Sequence, residues 1–280
     1  MSVTMRYDEE PARRIQALSE TDDMRAQRGR VIELLAPRPG WRVLEVGCGP
    51  GHLAAELAKA VAPGGRVCAV DVSEHMLALA TSTDVEFVHV SGTALPFDGG
   101  AFDAAVATQV YEFVEDVPAA LRELWRVLRA GARVLILDTD WDSLVWHSSD
   151  PARMGRVLDG WRRRVANPHL PRTLARALRD AGFEVTGRET HAIFDPHGRR
   201  DSYSARQIEH LAASAVDVPE DELKAWAADL RGLAASGDYF FSLNRYIFLA
   251  SKREQRARRA VALGQRAATG PPGRPRRDDL

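Results

Sequence analysis

The amino-acid sequence predicts an α/β protein whose mostly parallel sheet is covered by helices on both faces. Short runs rich in valine and leucine alternate with helical segments through the first half of the chain. Nearly every position of these runs is apolar, which is typical of parallel strands, because helices cover both of their faces. A glycine-rich turn follows the first run directly, and such a turn often carries the binding site of a parallel sheet.

Length and composition agree with one large domain of ordinary globular character. The chain has 280 residues, of which 45% are hydrophobic and 28% are charged, and domains typically contain about 100–200 residues. The formal net charge of −1 predicts no general attraction to nucleic acid or to an anionic membrane. The longest apolar runs, 104–107 and 246–250, are far shorter than the roughly 20 residues of a membrane span.

Cysteine usage and the N-terminal composition predict a cytoplasmic protein. Cys48 and Cys68 are too few for a disulfide framework or a zinc site. The first residues, MSVTMRYDEEPARR, contain no apolar stretch of the kind that a secretory signal requires. The eight histidines are dispersed without the spacing of metal ligands, so no metal site is expected.

Residues 1–35 are predicted to form a helical cap ahead of the main domain. An arginine- and glutamate-rich segment around residues 11–18 is expected to be helical, and Thr21 is expected to cap a second helix. Asp22 and Asp23 lie in the first turn of that second helix, where the helix dipole favours acidic side chains.

The main domain is predicted over residues 36–253, with strands and helices in alternation. Its strands are WRVLEVG, GRVCAVD, VEFVHV, FDAAVAT and ARVLILDT, and the helices between them are HLAAELAKAV, SEHMLALA and VPAALRELWRVLRA. Two helices, a strand over 182–194 and two further helices precede the last strand, 238–251, which is expected to run antiparallel. The second helix pair, within about 201–237, interrupts a sheet that could close directly, and is therefore predicted to form a lid.

Positive charge is concentrated at the C-terminal end. From Lys252 onward there are nine basic and three acidic residues, so this segment carries +6 in a chain of net charge −1. Residues 254–280 are rich in glycine, proline and arginine, and are predicted to form a basic, disordered tail. Such a tail could contact RNA or phosphate groups, but a solvated extension is the simpler interpretation.

The motif with the clearest chemistry is VLEVGCGPGH at residues 43–52. A strand ends just before Gly47, and Gly47, Gly49 and Gly51 form a tight turn that lets the backbone approach a ligand. A dinucleotide fingerprint, G-x-G-x-x-G, would need glycine where this chain has His52. The motif is therefore E-x-G-x-G-x-G.

This motif resembles the first motif of class I S-adenosylmethionine-dependent methyltransferases, (D/E)-x-G-x-G-x-G. Asp71 ends the second strand, twenty residues past Gly51, where an acidic residue binds ribose hydroxyls. The segment GTALPFDGGAFD at 92–103 resembles the part of that family that contacts adenine. The resemblance covers about residues 30 to 145, and it implies a Rossmann-like fold with S-adenosyl-L-methionine as cofactor and S-adenosyl-L-homocysteine as product.

The resemblance also implies individual cofactor contacts. The glycines of the turn would face the methionine part, Glu45 would hold the turn and the amino group, and Asp71 would bind the ribose. The other implied contacts are Val72, Met76, Thr93, Ala94, Leu95 and Gln109. Many relatives carry aspartate where this chain has Ser91, so the adenine contact there would be uncharged.

The acceptor is predicted to be a small molecule rather than a nucleic acid. Enzymes of this class that methylate nucleic-acid amino groups carry a Pro-Pro pair and an aromatic residue after strand four, whereas this chain has TQVYE at 108–112. A Pro-Cys nucleophile for cytosine is also missing from the sequence. A protein side chain stays open as an acceptor, and the layout resembles the methyltransferases of ubiquinone and menaquinone biosynthesis and of natural products.

Candidate acceptor-site residues follow the carboxyl ends of strands four and five, where ligands of parallel sheets bind. Glu112 is predicted to be the general base or an amine anchor, assisted by Tyr111 or His147. The alternative for Glu112 is a helix-start carboxylate that faces solvent. Candidates for binding a flat aromatic substrate are Tyr7, Trp141, Trp146 and His169.

The predicted function is methylation of a planar aromatic small molecule in secondary metabolism, and the predicted location is the cytoplasm. A looser resemblance to bacterial enzymes that methylate the indole C3 of tryptophan-containing cyclodipeptides gives the most specific hypothesis. O- or N-methylation of a phenol, quinol or amine is the alternative within the same class. A cofactor-binding scaffold without turnover, and an enzyme that uses this fold for cyclisation, are hypotheses of other kinds. A homodimer through the inserted helices is a further hypothesis.

Overall fold

The computed structural model describes residues 8–253. Its strands are β1 (Arg42–Val46), β2 (Arg66–Asp71), β3 (Val85–His89), β4 (Phe102–Thr108), β5 (Leu128–Thr139), β6 (Val145–Trp146), β7 (Phe183–Asp195) and β8 (Phe241–Lys252). Its helices are α1 (Glu9–Ser19), α2 (Asp22–Leu35), α3 (His52–Val61), α4 (Glu74–Ala78), α5 (Val117–Val127), α6 (Pro151–Arg162), α7 (Pro171–Asp180), α8 (Tyr203–Ser214) and α9 (Glu220–Ser236). Residues 1–7 and 254–280, with Tyr7 and the predicted basic tail, lie outside the described residues.

The described strands form one sheet in which the first five run parallel. Their spatial order is β3-β2-β1-β4-β5, and β8 pairs antiparallel with β5, with Leu135 opposite Leu249. Strands β6 and β7 both pair antiparallel with β8. The prediction of a mostly parallel sheet with an antiparallel last strand is confirmed. Chain order reverses between β1 and β4, and ligands of such sheets bind beyond the carboxyl ends of the strands at this point.

Apolar side chains on both faces of the sheet explain why the strands lack a polar side. Val43 packs with Val31 of α2 and Leu57 of α3, whereas its neighbour Leu44 faces the opposite core, which includes Leu121 of α5. All five of these side chains are fully buried. Because successive side chains of a strand point to opposite faces, a strand covered by helices on both sides has to be apolar throughout.

The N-terminal helices are held to the rest of the molecule by a contact that the sequence did not predict. Thr21 precedes α2, but its hydroxyl donates to the carbonyl of Leu18 at 2.9 Å and does not cap α2. Asp23 accepts a hydrogen bond from the backbone N–H of Tyr203 at 3.0 Å. Its carboxylate therefore accepts a hydrogen bond from the N-terminus of α8, 180 residues further along the chain, and ties α2 to the inserted helices.

A third core lies between α6, α8, α9 and the sheet, and it places these helices above one end of the strands. Trp146, predicted as a substrate contact, belongs to this core. Its ring centroid lies 4.8 Å from that of Phe241 and 5.5 Å from that of Trp226, in edge-to-face geometry. Among residues 8–253, no helix combines the length and hydropathy that crossing a membrane would require.

Candidate active site

A cavity of about 780 Å3 opens at the carboxyl ends of β1, β2 and β4. One part, here called the strand half, is lined by the strand ends and the loops after them, residues 45–50, 70–72, 90–93 and 108–110. The other part, here called the helix half, is lined by α1, α2, α8, the segment after α6 and aromatic residues that follow β4 and β5.

The glycine turn of the strand half is required by packing and backbone conformation. Gly47 has a φ of 69°, and a Cβ atom there would lie 2.3 Å from Cγ2 of Val110. A Cβ on Gly51 would lie 2.7 Å from Cζ of Phe87, so this glycine packs against β3. Gly47 and Gly49 line the cavity, whereas Gly51 is not among its described lining residues, so the predicted cofactor contact of Gly51 stays a prediction.

Asp71 connects the end of β2 to the glycine turn. Its carboxylate accepts hydrogen bonds from the N–H of Gly49 at 2.8 Å and from the N–H of Ser73 at 2.9 Å. Burial raises the pKa of Asp71, and these backbone bonds offset part of the shift. The backbone N–H of Val72 also bonds this carboxylate. Since a carboxylate offers about four acceptor positions, about one remains for a hydroxyl group of a ligand.

Glu45 is a buried carboxylate with unused hydrogen-bonding capacity. Its side chain is almost fully buried, and its Oε2 atom has no partner among residues 8–253. Burial and the nearby charge of Asp71 raise the pKa of Glu45 well above its usual range, and the charge of Arg28 opposes this. A ligand that brings a cation to this carboxylate would relieve its desolvation, so the turn and Glu45 fit a cofactor that carries an ammonium group and hydroxyls.

The predicted adenine contacts divide into two groups. Ser91 and Thr93 line the cavity, with their hydroxyl oxygens 2.8 Å apart. Ala94 and Leu95 lie outside its described lining, because Ala94 is exposed and Leu95 is buried in the core. The backbone N–H of Leu95 donates to Glu123 at 3.0 Å, which turns this part of the chain away from the cavity.

Three other predicted cofactor contacts line the strand half. Val72 is 54% exposed at the cavity edge and Met76 is buried beside it. Gln109 has a φ of 57°, which is rare for a residue with a side chain. Its N–H donates to the carbonyl of Leu137 at 2.6 Å, so β5 holds the strained residue at the point where the two halves of the cavity meet.

Glu112 does not reach the cavity, contrary to the prediction of a general base. The residue lies in a 3-10 turn, Tyr111–Phe113, whose two aromatic side chains line the cavity while Glu112 points away from it. It is fully buried, and its Oε2 accepts a hydrogen bond from Trp141 Nε1 at 2.8 Å. Burial raises the pKa of Glu112 to about 8, although this bond and the charge of Arg245 lower it. Its carboxylate is therefore bonded to Trp141, which does line the cavity.

Arg245 was not predicted, although it is a fully buried guanidinium next to the site. It donates to Gln27 Oε1 and lies 4.8 Å from the ring centroid of Tyr203, and both of these residues line the cavity. Its Nε and Nη2 atoms have no partner in the described part of the chain. A single arginine inside the apolar run YFFSLNRYIFLAS was the signal in the sequence, because isolated charges are rarely buried.

The helix half is lined by aromatic rings that meet at Trp161, which was not predicted either. The ring of Trp161 lies 5.1 Å from that of Trp141 and 6.5 Å from that of Phe113, both edge-to-face. His210 of α8 packs 5.0 Å from the same ring, and its Nδ1 has no partner within residues 8–253. Burial lowers the pKa of His210 to about 4, so the ring is neutral at pH 7.

His147 and His169 lie away from the described cavity lining. His147 is exposed, in a segment bonded through its backbone N–H to Phe240. His169 lies with Asp140 and Asp142 in a cluster whose ligand atoms all fall within 4.8 Å of one another, the spacing of a metal site. Arg172 bonds both carboxylates, each at 2.6 Å, so a guanidinium occupies the position that a cation would take.

The parallel sheet, the glycine turn at the crossover of β1 and β4, and the acids at the ends of β1 and β2 define a class I S-adenosylmethionine-dependent methyltransferase. The family model described as Methyltransferase domain matches residues 44–136. The chain belongs to this methyltransferase family, and its cofactor is S-adenosyl-L-methionine.

Two similar proteins and one solved structure illustrate the relationship. An uncharacterized 37.1 kDa protein in transposon TN4556 of Streptomyces fradiae is 34% identical over 251 residues, which cover 83% of this chain and 69% of that protein. Demethylmenaquinone methyltransferase of Staphylococcus aureus is 32% identical over 148 residues, 51% of this chain but only 59% of the relative. The crystal structure of the cyclase SpnF has a TM-score of 0.53 at 24% identity, covering 81% of this chain and 80% of that one, and it indicates the fold alone.

Proposed function

We propose that this methyltransferase acts on a planar aromatic small molecule in a natural-product pathway. The observation that carries the proposal is the helix half of the cavity, where Phe113, Trp141 and Trp161 form a connected aromatic wall. Edge-to-face rings of this kind favour flat aromatic ligands, because such contacts add to the free energy of apolar burial. The wall adjoins the strand half directly, so an acceptor there would face the cofactor.

The strand half is proposed to hold the cofactor through three groups. The backbone of Gly47 and Gly49 would receive its methionine part, Glu45 its ammonium group, and Asp71 its ribose hydroxyls. Bound S-adenosyl-L-methionine supplies an electrophilic methyl group on a sulfonium. The protein has to hold the acceptor atom in line with that methyl group at about 3–3.5 Å, which is chiefly a matter of positioning.

The most specific form of the proposal is methylation of the indole C3 of a tryptophan-containing cyclodipeptide. That reaction needs a group that accepts a hydrogen bond or proton from an N–H, and Glu112 is too far withdrawn for this role. His210 lines the cavity with a neutral ring, which can accept at one nitrogen while donating at the other. His210 would serve an indole N–H, a phenol O–H or an amine equally well.

The inserted helix α8 is proposed to be a lid over the acceptor. Tyr203, Gln207 and His210 of this helix line the cavity, and its N-terminus is bonded to Asp23 of α2. A lid held to the N-terminal helices would exclude water during transfer. The buried free thiols of Cys48 and Cys68 support placing the protein in a reducing cytoplasm.

Transfer of an isotopically labelled methyl group tests the proposal. The purified chain would be incubated with labelled cofactor and a panel of tryptophan cyclodipeptides, phenols, quinols and amines, and products would be read by mass spectrometry. We expect label on an aromatic compound, lost in Asp71→Ala and kept in the control Asp84→Ala, whose side chain is exposed. Cofactor binding without label on any aromatic compound would favour a scaffold, and unlabelled product would favour cyclisation.

A further inference from the structure

The helix half of the cavity contains a basic cluster whose hydrogen-bonding capacity is not met within the protein. Arg164, just after α6, lines the cavity, and its Nε is buried with no partner among residues 8–253. The Nε of Arg14 on α1 and the Nδ1 of His210 on α8 are likewise buried and unpartnered in this described range. Arg164 and His210 line the same cavity, and the charges of Arg14 and Arg164 both act on His210. Arg14 lies outside the described lining and pairs with Glu10 at 3.1 Å.

Arg164 differs from its neighbours in having no acidic partner. Arg162 pairs with Asp159 at 2.6 Å, and Arg163 pairs with Asp217 at 3.4 Å. Within the described part of the chain, the guanidinium of Arg164 makes neither an ion pair nor a hydrogen bond. The buried Nε of this half-buried arginine is a donor whose desolvation stays uncompensated until an acceptor reaches it.

His210 provides the second, independent observation. Only 5% of this residue is exposed, and it lines the same cavity. Its Nδ1 atom has no partner among residues 8–253. A neutral imidazole can carry its hydrogen on Nδ1 and donate it to an oxygen. Arg164 and His210 are therefore two cavity-lining residues, each with a donor nitrogen that has no partner in the described part of the chain.

We infer that the acceptor carries a carboxylate, which Arg164 and His210 bind in the helix half of the cavity. This inference rests on the proposed function, and it narrows the acceptor from planar aromatic compounds to aromatic acids. The aromatic wall at Trp161 would hold the ring while the basic cluster holds the carboxylate, and the two contacts together would fix which ring atom faces the methyl donor. A neutral cyclodipeptide would leave the cluster unpaired, so this inference favours an aromatic acid over the cyclodipeptide form of the proposed function.

The cofactor has a carboxylate of its own, and the structure separates the two sources. Arg28 lines the cavity near the glycine turn, where it pairs with Glu56 at 2.7 Å, and its charge also acts on Glu45 of the strand half. Arg164 acts on His210 instead. The cofactor carboxylate, next to the ammonium group at Glu45, would therefore lie on the Arg28 side of the cavity, and the carboxylate of the acceptor would lie on the Arg164 side.

Matched pairs of acid and amide test the inference. The full chain, saturated with S-adenosyl-L-homocysteine, would be titrated calorimetrically with indole-3-acetate and indole-3-acetamide, and with 4-hydroxybenzoate and 4-hydroxybenzamide. We expect at least one acid to bind about tenfold or more tightly than its amide, since hydrogen bonds to charged groups are the strong ones. Arg164→Gln and His210→Phe should each reduce that preference severalfold, whereas Arg162→Gln, on a salt-bridged surface residue, should leave it unchanged.

Several results would overturn the inference. These are equal affinity for acid and amide, no measurable binding of either acid, or a preference that survives in Arg164→Gln. An affinity for S-adenosyl-L-homocysteine that falls tenfold in Arg164→Gln would assign the arginine to the cofactor instead. Labelled methyl transfer to a neutral aromatic compound would contradict only this inference, whereas the absence of label on every aromatic compound would contradict the proposed function itself.

Discussion

The two halves of the cavity are built in different ways. The strand half depends on a short contiguous turn at 47–51 and on residues that end neighbouring strands, so its geometry is set by local backbone and sheet register. The helix half collects side chains from α1, α2, α6, α8 and the loops after β4 and β5, which lie far apart in the chain. The first half is therefore a rigid site of fixed chemistry, and the second is a surface whose chemistry depends on packing.

The largest effect on cofactor affinity is expected from Gly47→Ala, which changes the glycine turn of the strand half. The new Cβ would lie 2.3 Å from Val110, at a φ of 69°. A left-handed conformation costs a residue with a side chain about 1–2 kcal/mol, and the clash adds to it. We expect the affinity for S-adenosyl-L-homocysteine, measured by calorimetry, to fall about 100-fold or more, since each 1.4 kcal/mol is tenfold.

Gly64→Ala is the matched control for this change. Gly64 also has a positive φ, 83°, but its added Cβ would meet no described atom within 4 Å, and it does not line the described cavity. It should lose stability of about 1 kcal/mol without losing affinity. Equal affinities of the two variants would mean that the turn is not a rigid cofactor site.

A smaller effect is expected from Trp161→Phe, which perturbs the helix half alone. Phenylalanine keeps an aromatic ring but loses part of the contact with Trp141 and His210. Since aromatic pairs contribute about 0.5–1.5 kcal/mol, the KM of the acceptor identified by labelled transfer should rise about 2- to 10-fold. The affinity for S-adenosyl-L-homocysteine should stay within about twofold. A matching loss of cofactor affinity would show that the halves are coupled.

The difference between the strand half and the helix half also explains which parts of the site could be predicted from the sequence. The glycine turn, Asp71 and the order of strands are encoded by contiguous residues, and the fold and cofactor were predicted from them. The spacing of the glycine motif also indicated Glu45 as a cofactor-site residue. It could not show that Gly51 packs against Phe87 or that Leu95 enters the core, because both depend on contacts made by other strands and helices.

In the helix half, residue type alone was a poor guide. Glu112 follows a strand, where a general base is expected. It lies in a 3-10 turn, however, and its side chain is buried in the protein. Trp161 and His210 lie on helices whose apolar faces resemble ordinary core positions in the sequence. Only packing of α6 against α8 shows that these faces border a cavity. The chemistry of the acceptor site therefore has to be inferred from the side chains that pack together in the folded protein.

The smallest effect on turnover is expected from Glu112→Gln, which tests whether the helix half uses this carboxylate for chemistry or for structure. The pKa of Glu112 is raised to about 8 by burial, from about 4.5 in the unfolded chain. As pH rises from 5 to 8, the unfolded chain releases this proton while the folded protein retains it, so the folded state loses stability. Glutamine cannot titrate, and it can still accept a hydrogen bond from Trp141.

As the pH rises from 5 to 8, the Tm of the wild type should therefore fall more than the Tm of Glu112→Gln. Each kcal/mol of stability that the wild type loses relative to the variant should lower its Tm by about 2–4 °C. Glu209→Gln, on an exposed residue of α8, should run parallel to the wild type. Part of the wild-type slope should persist, because burial also raises the pKa values of Glu45 and Asp138. Turnover close to wild type at pH 7 would make Glu112 a positioning residue for Trp141, whereas a large loss of turnover with cofactor affinity intact would restore it as the base. That outcome would require the helix half to open during the reaction, since Glu112 has no access to the cavity in its present position.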